Sequence, residues 1–325
     1  MSSRNPSIVL RSARSLTQAR RTYATSSSSS GSGGASNPAS YCSDFVKKYD
    51  PEAWLQHFFW PREVRDLWLG WRAFNLEIHQ VSSAAKQPTI AMMRYQFWRD
   101  ALKAIWNDTP PNHPVALQLH KAKTMRPIQR YHLKQIIDAR VNALQGPRTH
   151  PTLQAHIDAH APLQNALLLG PLPLVLPPTH PATSDISHTL THLSSLLSTT
   201  SLLRSLPLNT SKRISTLPRD VSVKHGLVDE ELFRNGAAAK GLQDACFEIG
   251  TRGMDELITA RSHLKGSKGK VSPSVATPVF LSAVPAERYL KRLEAVDFNP
   301  FHPDLQKADW KLAPSILKTA WTSRL

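Results

Sequence analysis

The stretch from Pro61 to Val81, PREVRDLWLGWRAFNLEIHQV, decides the fold class of this chain. Its large apolar residues recur at steps of three and four, which places their side chains on one face of an α-helix. They are Leu67, Trp71, Phe74, Ile78 and Val81. Pro61 suits the first turn of a helix because it has no N–H to leave unpaired. The stretch therefore predicts an amphipathic helix with a bulky, partly aromatic buried face.

The same helical spacing continues through most of the chain on both sides of this segment. Further helices are predicted over residues 89–106, 133–144, 188–206, 229–233, 241–265, 286–296 and 314–321. The residues 170–184 are rich in proline and 266–278 in glycine, serine and lysine, so both are predicted to be loops. No convincing alternating strand pattern occurs, and neither loop separates independent helical cores. We expect one all-α domain.

The N-terminal segment has the composition of a mitochondrial import signal. Residues 1–43 contain five arginines, many serines and no acidic residue before Asp44. We expect a transit peptide over residues 1–23, with cleavage after Tyr23, and a disordered Ser/Gly leader over residues 24–40. Residues 41–325 are then the folded domain. The expected location is the mitochondrial matrix.

Composition excludes several classes of protein and favours anionic partners. The net charge is +16, and +11 remains after the five leader arginines are removed. Such an excess favours lipid headgroups, nucleic acid or an acidic protein. Nucleic acid is not expected, because no RNA- or DNA-binding module has a signature here. No apolar run is long enough to span a membrane. The two cysteines, Cys42 and Cys246, cannot build a disulfide framework or a zinc site.

Several sequence blocks, in a fixed order, resemble a known family. They include YDPEAW at 49–54, WPREVR at 60–65, RAFN at 72–75, MRYQFW at 93–98, HGL at 225–227 and VDFNPFHP at 296–303. The first of these resemble the opening of squalene and phytoene synthases. More closely, the chain resembles the mitochondrial complex I assembly factors that share this scaffold, from about Cys42 to Trp321. The resemblance implies the isoprenoid-synthase fold, a helical bundle around a central cavity.

Active members of that family carry an Asp-rich motif on each of two facing helices, where the carboxylates hold magnesium ions. Alignment on Arg72 places Asn75, Leu76 and His79 at the first motif. Asparagine is a neutral oxygen ligand, leucine offers none, and histidine suits magnesium poorly. The nearby Glu77 is predicted to be a solvated surface charge, because it lies about 200° around the helix from Asn75.

The second motif is equally depleted of carboxylates. The best match begins at Ser201 and places Arg204, Ser205, Leu208 and Asn209 at the motif positions. No other register restores the motif, because no Asp or Glu occurs between Asp185 and Asp220. Magnesium-assisted departure of a diphosphate needs carboxylates on both walls. We therefore expect no catalytic, cofactor-binding or metal-binding residue.

Other candidate residues are weighed against structural roles. Four further arginines, Arg62, Arg65, Arg94 and Arg99, are either anion contacts around the cavity or members of surface ion pairs. His156 and His160 stand one turn apart, but the sequence shows no third metal ligand beside them. Cys246 is predicted to be a small core residue rather than a nucleophile.

The expected function is that of a non-catalytic assembly factor for mitochondrial respiratory complex I, which rests on the resemblance. The chemistry of the residues supports the loss of prenyl transfer. Expected partners are complex I subunits or assembly intermediates, with peripheral contact to the anionic inner membrane. Two alternatives remain open at this point: an active magnesium-dependent prenyl-diphosphate synthase or transferase, and an isoprenoid- or lipid-binding carrier.

Overall fold

The computed structural model describes residues 37–84, 87–264 and 269–325, all of which belong to one compact unit. Within these ranges the chain forms fifteen α-helices and no strand. The helices are α1 Pro38–Tyr49, α2 Pro51–His57, α3 Arg62–Ala84, α4 Pro88–Trp106, α5 Pro114–Met125, α6 Arg130–Gln145, α7 Leu153–Leu168, α8 Thr183–Ser211, α9 Arg219–Lys224, α10 Asp229–Asn235, α11 Leu242–His263, α12 Thr277–Phe280, α13 Ala283–Glu294, α14 Pro303–Gln306 and α15 Leu312–Thr322. The all-α prediction is confirmed.

The helix predicted from the apolar spacing at 61–81 is α3, and its apolar face is buried as predicted. Trp71, Phe74 and Ile78 are each at most 1% exposed. Trp60 stacks on Trp68 with ring centroids 4.9 Å apart and extends the same buried aromatic layer. These tryptophans therefore fill the core, which is the more common role of aromatic residues at helical spacing.

The folded unit begins earlier than the sequence predicts. The sequence composition places residues 38–40 in the leader, but they form the first turn of α1. The side chain of Asn37 accepts a hydrogen bond from the Ala39 N–H at 3.1 Å, and Pro38 occupies the first helical position. A cap residue followed by proline is a strong helix start, and it corrects the boundary. The predicted transit peptide and the rest of the leader, residues 1–36, lie outside the described residues.

Two further differences arise from proline. Helix α7 contains Pro162 and helix α8 contains Pro207, and the sequence predicts neither α7 nor the last turns of α8. A proline inside a helix removes one hydrogen bond and crowds the preceding turn. Both helices nevertheless bury residues beyond the proline, including Leu163 and Thr210. Burial of these side chains against neighbouring helices offsets the free energy that the proline costs each helix.

The bundle is organised around α8 and α3. Helix α8 packs against α7 on one side and α11 on the other, while α3 packs against α1 and α5. Gly170 lies where the chain after α7 passes α3, and an added Cβ there would stand 2.1 Å from the ring of Trp71. Only glycine allows this approach. None of the helices in the described ranges is both long and apolar enough to cross a membrane.

Candidate functional site

A cleft of about 470 Å³ lies between α3 and α8, with α2, α7 and α13 contributing the remaining walls. Its charged and amide side chains are Asp50, Glu52, Gln56, Arg72, Gln164 and Arg204. Arg72 and Arg204 are the two arginines that the sequence places in the first and second motifs. The structure therefore brings the two motif helices to the same cleft.

Arg72 is held by a carboxylate from the start of α2. Its guanidinium donates to Asp50 Oδ2, and the two side chains are only 20% and 15% exposed. The other oxygen of Asp50 accepts a hydrogen bond from the Ala53 N–H at 3.0 Å and caps α2. Both carboxylate oxygens of Asp50 therefore have partners, and the Asp50 carboxylate neutralises the charge of Arg72 at the cleft wall.

Arg204 is paired in the same manner. Its Nη1 lies 3.0 Å from both carboxylate oxygens of Glu52, in the first turn of α2. Its Nη2 donates to the Pro285 carbonyl at 2.8 Å, and its guanidinium lies 4.9 Å from the centre of the Tyr289 ring. The carboxylate, the carbonyl and the ring hold this guanidinium on three sides.

The remaining motif positions contribute little to the cleft. Asn75 and Leu76 are buried in α3, and neither lines the cleft. His79 is exposed one turn further along. On α8, Ser205 lines the cleft and accepts a hydrogen bond from the side-chain amide of Asn209 at 3.2 Å. Leu208 is 59% exposed and points away from the core.

These residues do not fit a magnesium–diphosphate site. The two carboxylates in the cleft, Asp50 and Glu52, each belong to a salt bridge with an arginine. The α8 wall offers Thr200, Ser201 and Ser205 but no carboxylate. Magnesium needs several hard oxygen ligands in octahedral geometry, with net negative charge to offset its own. The charges of the cleft side chains sum to zero, so the cleft lacks that negative charge.

The space deeper in the bundle is much smaller than the cleft. A narrow cavity of about 30 Å³ continues from the cleft beside Trp60, Trp68 and Arg72. At roughly 10–15 Å³ of probe volume for each water, it has room for about two water molecules. Drug-sized ligands occupy pockets of ~300 Å³ or more. A prenyl chain therefore has no room in this inner cavity.

Comparisons with known proteins agree with this architecture. The squalene/phytoene synthase family model matches residues 46–313. The chain belongs to the squalene/phytoene synthase family. It is 31% identical over 288 residues to the mouse protein named "NADH dehydrogenase (ubiquinone) complex I, assembly factor 6", covering 87% of this chain and 82% of the relative. It is 30% identical to the human protein of the same name, with coverages of 86% and 81%.

Among solved structures, the fold is similar to a dehydrosqualene synthase in complex with ligand. The TM-score is 0.74, with 13% identity over 87% of this chain and 95% of the other. The isoprenoid-synthase fold predicted from the sequence blocks is thus confirmed. At this level of identity the similarity establishes the fold alone.

The four other arginines named from the sequence do not line the cleft. Arg65 donates to the carbonyls of Phe58 and Trp60, and Arg99 pairs with Asp138 at 2.9 Å. Arg62 and Arg94 are exposed. Glu77, predicted to be a solvated charge, is partly buried and accepts a hydrogen bond from the Tyr41 hydroxyl at 2.9 Å. It joins α1 to α3.

Sequence reasoning missed the two residues that define the cleft, Asp50 and Glu52. The signal was present in Asp50-Pro51-Glu52, an N-cap followed by proline and an acidic first turn. That pattern locates the start of α2, but it does not show which side chains Asp50 and Glu52 contact. Arg204 lies 152 residues from Glu52, and such a pairing appears only once the chain is folded.

Proposed function

We propose that this chain is a non-catalytic assembly factor for mitochondrial respiratory complex I, built on a prenyl-synthase scaffold. The observation that carries the proposal is the similarity, over more than four fifths of its length, to relatives named as complex I assembly factors. The location that fits this function is the mitochondrial matrix, in agreement with the predicted import segment. Complex I subunits or assembly intermediates are the proposed partners.

The cleft supports the non-catalytic part of the proposal. Both motif arginines are neutralised by Asp50 and Glu52, and α8 lacks carboxylates along the cleft. The alternative, an active prenyl-diphosphate synthase or transferase, is tested by incubating the full chain with magnesium and farnesyl or geranylgeranyl diphosphate. We expect no product beyond a buffer blank. Formation of a condensed prenyl product would overturn the non-catalytic assignment.

The second alternative, an isoprenoid or lipid carrier, is disfavoured because the inner cavity holds only about 30 Å³ and the larger cleft of about 470 Å³ is lined by four charged side chains. A carrier has to enclose most of its apolar ligand, because exposed hydrocarbon forfeits the hydrophobic driving force. Deletion of the gene separates the two functions. A carrier predicts altered quinone or other isoprenoid lipid levels with normal complex I, whereas an assembly factor predicts loss of complex I.

A peripheral membrane contact fits one face of the C-terminal helix α15. The inner face of α15 packs through Leu312 and Ile316. On its outer side Trp321 is 86% and Leu317 53% exposed, and Trp310 just before the helix is 78% exposed. We call these three residues the aromatic face. Aromatic and aliphatic side chains beside lysines are typical of surfaces that bind the membrane interface, and Lys311 and Lys318 flank this set.

Liposome binding tests the aromatic face. The full chain should sediment with cardiolipin-containing vesicles, less strongly at high salt and weakly with neutral vesicles, because its excess positive charge drives the attraction. The double change Leu317→Ser and Trp321→Ser should reduce binding several-fold. Val223→Ser is the matched control, since Val223 is 80% exposed on α9, away from this face. Equal binding to neutral vesicles, or none to either kind, would refute the membrane contact.

A native-gel assay of complex I tests the assembly role itself. Deletion of the gene should reduce the mature complex, and the unchanged chain should restore it. A normal amount of complex I after deletion would refute the proposal. The Leu317→Ser and Trp321→Ser variant then shows whether the aromatic face is needed for that restoration.

A further inference from the structure

Three histidines that are distant in sequence meet on the side of the bundle away from the cleft. His188 and His192 lie one turn apart on α8, and His263 is the last residue of α11. Their ring centroids are 4.6–5.2 Å apart, and one ring nitrogen from each lies within 4.8 Å of the others. His188 and His263 are exposed, and their rings form no hydrogen bond to a described residue. We call these three residues the histidine triad.

A buried carboxylate orients the central histidine of the triad. His192 donates from Nδ1 to Glu256 Oε2 at 2.7 Å, which leaves Nε2 as the free nitrogen. The Glu256 side chain is only 9% exposed, and its other oxygen is held by Arg252 at 2.5 Å. Metal-binding histidines in proteins commonly donate their second N–H to a carboxylate in this way, which fixes the ring and strengthens the ligand.

The helices that carry the triad are rigidly positioned. Helices α8 and α11 pack closely, with Gly253 so near Thr199 that an added Cβ would stand 2.5 Å from its hydroxyl. His263 ends α11, where the partial negative charge of the helix C-terminus favours a cation. Three imidazoles on two packed helices, with the solvent side open, match the three-histidine sites that leave a fourth position to water.

From these contacts we propose that His188, His192 and His263 bind a zinc ion that joins α8 to α11, with Glu256 positioning His192 and water as the fourth ligand. Zinc suits neutral imidazole nitrogens in tetrahedral geometry at ~2.0–2.1 Å. Small side-chain rotations close the remaining distance, since His188 and His263 are exposed. The sequence predicts no metal site, because His263 lies far from the other two along the chain.

A second group of three histidines is less suited to a metal. His150, His156 and His160 also lie within reach of one another. Burial lowers the pKa of His160, and the positive charge of Arg140, which forms no salt bridge with a described residue, lowers it further. An uncompensated positive charge disfavours a second cation beside it. This group serves as the internal comparison.

Zinc titration of the full chain, freed of metal and of any affinity tag, tests the proposal. Calorimetry should give one zinc per chain, and cobalt in place of zinc should give the visible bands of four-coordinate Co²⁺. His188→Ala and His263→Ala should each weaken zinc binding by at least ~100-fold, and Glu256→Gln by ~10–100-fold. His132→Ala, a histidine outside both groups, should bind like the unchanged chain.

Circular dichroism checks that each variant is folded. The variants of the two exposed histidines are the decisive ones, because replacing an exposed side chain leaves the core intact. Zinc should raise the thermal midpoint of the unchanged chain but not that of His188→Ala. Three results would overturn the assignment: no zinc binding by the unchanged chain, undiminished binding by both single variants, or loss of binding only in His150→Ala with His160→Ala.

Discussion

The strongest quantitative prediction concerns the salt bridge between Arg72 and Asp50. Their side chains are 20% and 15% exposed, so the pair lies between the exposed pairs, worth ~0.2–1 kcal/mol, and buried pairs, whose disruption costs ~3–5 kcal/mol. A coupling of about 2 kcal/mol is expected. Asp50→Asn is the appropriate change because asparagine keeps the cap of α2 while removing the charge. Arg72→Met retains much of the packing volume.

The assay is a double-mutant cycle measured by urea unfolding at neutral pH and low salt. The single variants and the double variant give the coupling free energy after the unrelated costs of each change cancel. The matched control is a second cycle on Arg213 and Glu230, whose side chains are 62% and 50% exposed. Solvent screens that pair, so its coupling should be clearly smaller. A coupling at Arg72 no larger than in the control cycle would refute the claim that this salt bridge stabilises the cleft.

The same pairing predicts a change in ligand binding. In the unchanged chain the two arginines are neutralised, and inorganic pyrophosphate should bind weakly. Asp50→Asn combined with Glu52→Gln leaves both guanidiniums in a cleft of about 470 Å³ without carboxylate partners. Pyrophosphate affinity should rise at least ~10-fold, because forked guanidinium contacts to phosphate become available. Equal affinity in both proteins would show that the pairs do not occlude the arginines.

Three further predictions follow from packing and protonation. Gly253→Ala should destabilise the fold by about 1–2 kcal/mol in thermal unfolding, since the new Cβ would stand 2.5 Å from the Thr199 hydroxyl. Gly250→Ala is the control: its new Cβ would stand 3.4 Å from the nearest atom, so this change should be neutral or slightly stabilising. Burial raises the pKa of the Cys246 thiol to about 12, so iodoacetamide at pH 8 should label it only after denaturation. Burial, aided by two neighbouring imidazoles, lowers the pKa of His156 from 6.5 to about 3. The unfolded chain therefore binds a proton at this site that the folded chain does not. The free energy of unfolding should fall between pH 7 and pH 5 by about 2 kcal/mol more in the unchanged chain than in His156→Leu.

The apolar spacing of the sequence predicted several of the helices that carry the core, but not α1, α5 or α7. The spacing at Leu67, Trp71 and Phe74 placed the buried face of α3 correctly, because the period of a helix fixes which residues share a face. The same reasoning could not find α7. Its apolar residues are interrupted by polar ones and by Pro162, and its helix is maintained by packing against α6 and α8. In such segments the tertiary contacts outweigh the low helix propensity of the local sequence.

The cleft was predicted in outline only. The sequence identified Arg72 and Arg204 and the shortage of carboxylates around them, and in the folded chain both line one cleft. It gave no sign that Asp50 and Glu52 would occupy those arginines, because side-chain pairing over 22 and 152 residues depends on how α2 lies across the two motif helices. For the same reason it did not associate His263 with His188.

The two salt bridges also compensate the positive charges that the fold gathers in the cleft. A cleft with two arginines and no carboxylate to pair with them would leave two partly buried positive charges uncompensated, which is costly in a medium of low polarity. Asp50 and Glu52 supply that compensation from a single turn of α2, and the cap that Asp50 provides holds this turn in place. The carboxylates in this cleft thus pair with arginines and are not free to bind magnesium. Restoring metal binding would therefore require new acidic residues on α8 and the release of the present ones from their partners.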